Sequence, residues 1–314
     1  MHLNMGGRDV AILSRHFAVT SSQSVNGVVS GMFQLTVTSS PSFTTNQFFK
    51  MKFTAAIATA ILASVAVAAP QRGLEARLKA RGTSKGSRPL QAVARPASTK
   101  NQTNVEYSSN WSGAVLVEPP SAAATYTAVT GTFTVPEPTG NSGGSQAASA
   151  WVGIDGDTYG NAILQTGVDF TVTDGEASFD AWYEWYPDYA YDFSGIDISA
   201  GDEIVAIVES YTSTTGIAII ENKSTGQKVS KELSSSSSLG GQNAEWIVED
   251  FEENGSLVNL VDFGTVTFTG AVAKAAGGES VGLTDATIIE IEENGKVVTD
   301  VTIDSASEVT ITYE

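Results

Sequence analysis

From Tyr107 to the carboxyl terminus the chain reads as short alternating segments, with no amphipathic helical stretch and no convincing helix start. Residues 125–135 (TYTAVTGTFTV) place Val129, Phe133 and Val135 on one face. Residues 203–211 (EIVAIVESY) and 264–269 (GTVTFT) alternate in the same way. Near the end, 286–293 (ATIIEIEE) and 296–303 (KVVTDVTI) flank Asn294-Gly295, a strong signal for a two-residue hairpin turn. Clusters of Gly, Ser, Thr and Asn separate the segments, and the serine run 234–238 reads as a surface loop. Many short strands in one block argue an all-β protein, an antiparallel sandwich or barrel. No internal period suggests a propeller.

Charge divides the chain in two. Residues 1–104 carry 12 of the 17 Lys and Arg residues and two acidic residues, Asp9 and Glu75. Residues 105–314 hold 5 basic and 33 acidic residues, a net of −28. Such a surface repels phosphate backbones and anionic lipid, so neither nucleic acid nor membrane is expected as a partner. An acidic working environment would neutralise much of this charge.

Two absences narrow the chemistry. The chain has no cysteine, which removes disulfides, thiolate nucleophiles and Cys-ligated metals. Its two histidines, His2 and His16, lie far from the acidic block. That block therefore lacks the parts for Ser-His-Asp catalysis or a His-ligated zinc. A hydrolase built from it must use carboxylates, amides, hydroxyls or lysine.

Ahead of the block, Lys50 and Lys52 precede the apolar run from Phe53 to Val67, which closes on Ala66-Val67-Ala68. A basic start, an apolar run and a small-residue cleavage site make residues 51–68 a secretory signal peptide. On this reading Met51 is the native start, residues 1–50 are a non-native extension, and the protein is secreted to the extracellular space. Residues 69–104 are basic and poor in large apolar side chains, so they cannot fold alone. They read as a pro-segment that opposite charge holds to the body at neutral pH, and that protonation of the carboxylates loosens. The block from 105 to 314 is then the functional domain.

Five stretches gather aromatic and polar residues: SNWSGAV at 109–115, AWVGIDGD at 150–157, ILQTGVDF at 163–170, DAWYEWYPD at 180–188 and AEWIVEDF at 244–251. Taken as strands, they place Trp151 with Gly153 and Asp155, Gln165 with Asp169, Trp182 with Glu184 and Tyr186, and Glu245 with Ile247 and Glu249. Polar faces of this kind on one sheet make a groove with aromatic walls, suited to an extended peptide or glycan. Each residue also has an ordinary role open to it. Asp155 and Asp157 fit a turn, Trp and Tyr commonly pack a sandwich, and a strand Glu is usually solvated.

These stretches, with FSGIDISAGD at 193–202 and ENKSTGQKVSKE at 221–232, resemble the fungal glutamic peptidases, or eqolisins, from Asn110 to the carboxyl terminus. The resemblance implies a sandwich of two antiparallel sheets of the lectin-like jelly-roll type. It also implies secretion with a signal and pro-segment, and acid endopeptidase activity on protein substrates without metal or cofactor. It assigns catalysis to Gln165 in ILQTG and Glu249 in AEWIVEDF. It assigns substrate binding to Trp111, Trp151, Asp155, Asp169, Trp182 and Glu184. One departure is the lack of the disulfides common in the family, which leaves the source of stability open.

A carboxyl and a carboxamide suffice for amide hydrolysis in acid, where an imidazole would be protonated and useless as a base. A carboxylate can take a proton from water and later return it. A carboxamide offers a donor to the oxyanion and an acceptor to the water. The rival readings are a sandwich glycoside hydrolase using two carboxylates such as Glu184 and Glu249, and a non-catalytic glycan-binding protein. Asn101, Asn110, Asn222 and Asn254 lie in glycosylation sequons.

Overall fold

The computed structural model describes residues 85–94, 104–140 and 143–314. The signal peptide expected at 51–68 and most of the basic segment lie outside the described residues. Among those described, the alternation becomes two stacked sheets.

The strand Ala244–Glu249 illustrates the rule. Trp246 and Val248 enter the core between the sheets, while Ile247 joins a second apolar cluster on the opposite face. Its sheet has nine strands. Their ladder order is Lys296–Val297, Thr287–Glu293, Trp111–Leu116, Ala244–Glu249, Ser145–Ile154, Ile163–Thr173, Glu176–Tyr186 and Tyr191–Asp192, with Val105–Ser108 beside Thr287–Glu293. The facing sheet of eight runs Gln227–Ser234, Thr215–Asn222, Glu203–Thr212, Tyr126–Thr134, Thr265–Ala275, Glu308–Tyr313 and Thr299–Ser305, with Ser280–Val281 beside Thr265–Ala275. The single helical element among the described residues is a 3₁₀ turn at Leu283–Asp285.

The expected sandwich is present, with two corrections of detail. Its strands are not all antiparallel, because Val105–Ser108 runs parallel to Thr287–Glu293. Four residues reading VEYS carry no pattern that could have fixed their direction. The hairpin expected over 286–303 is also much shorter. Only Glu292 and Glu293 pair with Val297 and Lys296, after which the chain crosses to the other sheet as Thr299–Ser305. Side-chain chemistry ends the ladder: the Thr299 hydroxyl accepts the Ile291 amide at 2.8 Å, and Val298 turns inward, buried.

The core answers the missing disulfides. Val152, Ile154, Leu164, Val168 and Phe170 from the nine-stranded sheet meet Val129, Phe133, Ile204, Val208 and Phe268 from the other in one apolar cluster. Trp246 crosses between the layers, and its indole N–H donates to the Thr130 carbonyl at 2.8 Å. Gly131 makes room for it, since a Cβ there would lie 2.8 Å from the Trp246 ring.

Part of the basic segment belongs to the fold. Lys85–Gly86 pairs with Glu252–Glu253, which pairs in turn with Ser256–Leu257 in a small third sheet. Among the sequons, Asn110 and Asn222 are fully buried, Asn254 is exposed in a turn, and Asn101 lies outside the described residues.

Candidate active site

The outer face of the nine-stranded sheet is floored by Trp111, Trp151, Ile163, Trp182 and Ile247, all buried. Trp111 and Trp151 meet edge to face with ring centroids 5.0 Å apart. Gly167 permits this packing, because a Cβ there would lie 2.5 Å from the Trp151 Cβ and 2.3 Å from the Ala150 carbonyl oxygen. Between these rings the same face carries Glu249, Gln165, Glu184, Asp169 and Glu245, none of them more than marginally exposed.

Register fixes how these groups are spread. Glu249 lies across from Ser149, which lies across from Asp169. Four residues along the sheet, Glu245 lies across from Gly153, Gly153 from Gln165, and Gln165 from Glu184. Gln165 and Glu249 therefore sit on one face but on different rows. A short piece of chain joins the rows: the Ser87 amide donates to Glu184 Oε2 at 3.0 Å, and the Ser87 hydroxyl donates to Glu249 Oε2.

Neutral donors hold Glu249. The Trp151 indole N–H reaches Oε2 at 2.9 Å, and Trp111 reaches Oε1 at 3.3 Å. The Asn110 amide reaches Oε1 at 3.4 Å and the Arg88 backbone N–H at 3.2 Å. Burial pushes the carboxyl up to about 7, against the lowering effect of these hydrogen bonds. Burial also raises Glu184 well above the carboxylate range, and the nearby Glu249 adds to it. Asp250, next along the chain, is pushed up to about 8 by burial first and by Glu293 and Glu249 second. Neither the carbonyl nor the NH₂ of Gln165 has a hydrogen-bond partner among the described residues. A fully buried amide with both ends free is equipped to meet a substrate carbonyl and a water.

The remaining residues singled out in the sequence divide. Trp111 and Trp151 touch Glu249 directly. Trp182 lies in the floor and donates to the Ser149 hydroxyl at 2.9 Å. Asp169 faces the Lys85 ammonium in an ion pair. Asp155 is spent on the fold: its oxygens accept the backbone amides of Gly240, Gly241, Gln242 and Asn243, at 2.6 to 3.4 Å. These bonds anchor the 240–243 loop on Asp155, the ordinary turn role that the sequence also left open to it.

Several groups escaped the sequence reading. Ser87 and Arg88 enter the groove from a stretch whose only signal was its positive charge. Asn110 was visible beside Trp111 in SNW, though only as a sequon. Glu245 is fully buried, neither oxygen has a hydrogen-bond partner among the described residues, and burial raises it well above the carboxylate range. Strand alternation located it on this face without revealing that the face is closed to water.

Residues 109–313 match the Peptidase A4 family. The chain is 47% identical over 290 residues to aspergillopepsin-2 of Aspergillus niger, covering 84% of this chain and all of that protein. Among solved structures it is similar to scytalido-glutamic peptidase with a transition state analog inhibitor. That match has a TM-score of 0.60 and 45% identity, over 66% of this chain and 98% of the other. It is also similar to SCP-B, a member of the eqolisin family of peptidases in complex with the tripeptide Ala-Ile-His. There the TM-score is 0.57 with 42% identity, over 66% and 98% of the two chains.

Proposed function

Since this chain belongs to the Peptidase A4 family and is a glutamic-type endopeptidase, we propose that Glu249 and Gln165 carry out its chemistry, at acid pH and outside the cell. The observation that carries this reading is a buried carboxyl that, among the described residues, is held only by neutral donors, on the same sheet face as a carboxamide whose two ends have no partner among them.

Once the segment over the groove is gone, water lessens the burial that holds the carboxyl up to about 7, and ionised Glu249 takes a proton from a water as that water's oxygen attacks the scissile carbonyl carbon. The Gln165 NH₂ donates to the oxyanion that forms, a contribution of roughly 3–4 kcal/mol for one placed donor. Glu249 then returns the proton to the amide nitrogen, the C–N bond breaks, and the two product chains leave. Trp151 and Trp111 aim the carboxyl, and their N–H groups favour its ionised form without adding a cation that would abolish its basicity. The aromatic floor, with Trp182 and Glu184, receives an extended peptide. A glycoside hydrolase reading would make a second carboxyl essential and leave Gln165 idle, and family membership favours the peptidase instead.

The basic segment acts as the inhibitor of the unprocessed protein. Lys85 pairs with Asp169 and lies 3.7 Å from Asp192, and Arg88 pairs with Glu252 at 2.8 Å. These ion pairs hold the segment over the groove, and protonation of the carboxylates in acid releases it.

The test is digestion of a denatured protein at about pH 4 with pepstatin present, followed by peptide mass mapping. Internal cuts that persist with pepstatin and vanish in Glu249→Gln support the reading. Near-normal cutting by Glu249→Gln refutes it.

A further inference from the structure

The segment Lys85–Val93 is held along the groove at both ends. The Ala190 amide donates to the Lys85 carbonyl at 3.1 Å, the Leu90 amide to the Gly156 carbonyl at 2.9 Å, and the Ser109 amide to the Gln91 carbonyl at 2.9 Å. Between these anchors, the Arg88 nitrogen lies 3.2 Å from Glu249 Oε1, where the amine leaving a substrate would collect its proton. The peptide bond carried to the reacting carboxyl is therefore Ser87–Arg88. Its carbonyl side is not engaged in the same way. Neither polar atom of Gln165 has a hydrogen-bond partner among the described residues, so the Ser87 carbonyl is not held by the oxyanion donor. The other oxygen of Glu249 accepts the Ser87 hydroxyl, on the lone pairs an attacking water would need. A serine in this place satisfies the base with the segment's own O–H.

We propose that Ser87–Arg88 is a self-processing site kept latent by the Ser87 hydroxyl, which stands where the attacking water must stand. This rests on the assignment of Glu249 as the base. Once the hydroxyl leaves, water enters and lessens the burial that keeps the carboxyl protonated; ionised Glu249 then takes a proton from that water, whose oxygen adds to the carbonyl carbon of residue 87. The C–N bond to Arg88 breaks, and the proton passes from Glu249 to the Arg88 nitrogen. One water is consumed, leaving a carboxyl at residue 87 and an amine at Arg88. Because the segment lies in its own chain's groove, the cut is intramolecular.

The experiment uses the full chain with Ser87→Ala and with Ser87→Thr, which keeps a hydroxyl. Each protein is prepared at neutral pH, acidified, and followed by intact mass and amino-terminal sequencing. Ser87→Ala should give an Arg88 amino terminus at least about tenfold faster than the unaltered chain, the scale of one hydrogen bond to a carboxylate. Its rate should not depend on protein concentration, and Ser87→Thr should track the unaltered chain. Equal rates for all three, or a Ser87→Ala chain that never shows an Arg88 terminus, would overturn the proposal. Adding Glu249→Gln to Ser87→Ala separates the two ideas. Loss of the cut ties it to the groove, whereas a cut that survives refutes Glu249 as the base.

Discussion

On the strand Ala244–Glu249 the two faces are equally buried and built on opposite terms. Trp246 and Val248 face the second sheet, where apolar neighbours surround them and the one polar atom of the indole finds the Thr130 carbonyl. Glu245 and Glu249 face outward into a floor of tryptophans, where no cation meets either carboxyl among the described residues. The inner face stabilises the fold through apolar burial and filled hydrogen bonds. The outer face works against it, because a buried carboxyl without a charged partner is stable only while protonated. That same condition holds Glu249 protonated in acid while the segment 85–93 covers it, and the carboxyl can ionise and act as a base only once the segment leaves and water lessens its burial. The difference teaches that alternation alone divides stability from chemistry within six residues.

The largest effect that sharpens this contrast belongs to the inner face. Trp246→Ala should cost about 3–5 kcal/mol of unfolding free energy, read by denaturant melts. The surviving folded fraction should keep its specific activity. Loss of activity without loss of stability would erase the distinction. On the outer face, Gln165→Ala should lower kcat by about 10²–10³-fold, roughly 3–4 kcal/mol of barrier, with a melt indistinguishable from the unaltered chain. The smallest effect concerns pH. Glu184, Glu245, Glu249 and Asp250 are all raised in the folded state. Folding therefore takes up protons, and the stability they support is full below the ordinary carboxylate range. It is lost as pH climbs toward the folded values of about 7 for Glu249 and about 8 for Asp250. The melting temperature should fall between pH 4 and pH 8, and Glu245→Gln should raise it at pH 8 by a few degrees, about 1 kcal/mol, but not at pH 4. A melting temperature that climbs over that interval would reverse the sign of the argument.

Much of this contrast was legible in the amino-acid order. Alternation in 125–135, 203–211 and 244–251 reports which side chain faces which layer, because the pleat has a period of two wherever a strand forms. Within single strands the same geometry pairs Gln165 with Asp169, Trp182 with Glu184 and Glu245 with Glu249, and the register between strands brings those pairs to one face. Three features were not legible, each because it depends on a contact that alternation along a strand does not encode. Ser87 stands 162 residues from Glu249, and nothing in KGSRP announces a groove ligand. Thr299 ends a hairpin that Asn294-Gly295 promised, through a bond to the Ile291 amide. Asp155 looked like its neighbours on the groove face, yet the amides of residues 240–243 claim it. Local pattern assigns faces, and tertiary contacts decide which polar groups remain free to act.

The most direct test follows the Glu249 carboxyl itself. The full chain, with Gln165→Ala to prevent turnover and with glutamate carbons labelled, is titrated by carbon NMR. The Glu249 signal is identified by its disappearance in Glu249→Gln. A midpoint near 7, well above an ordinary glutamate, is the expected result. A midpoint at or below about 4.3 would mean the carboxyl is already charged in acid and well solvated. The outer face would then be no different from any wet strand surface.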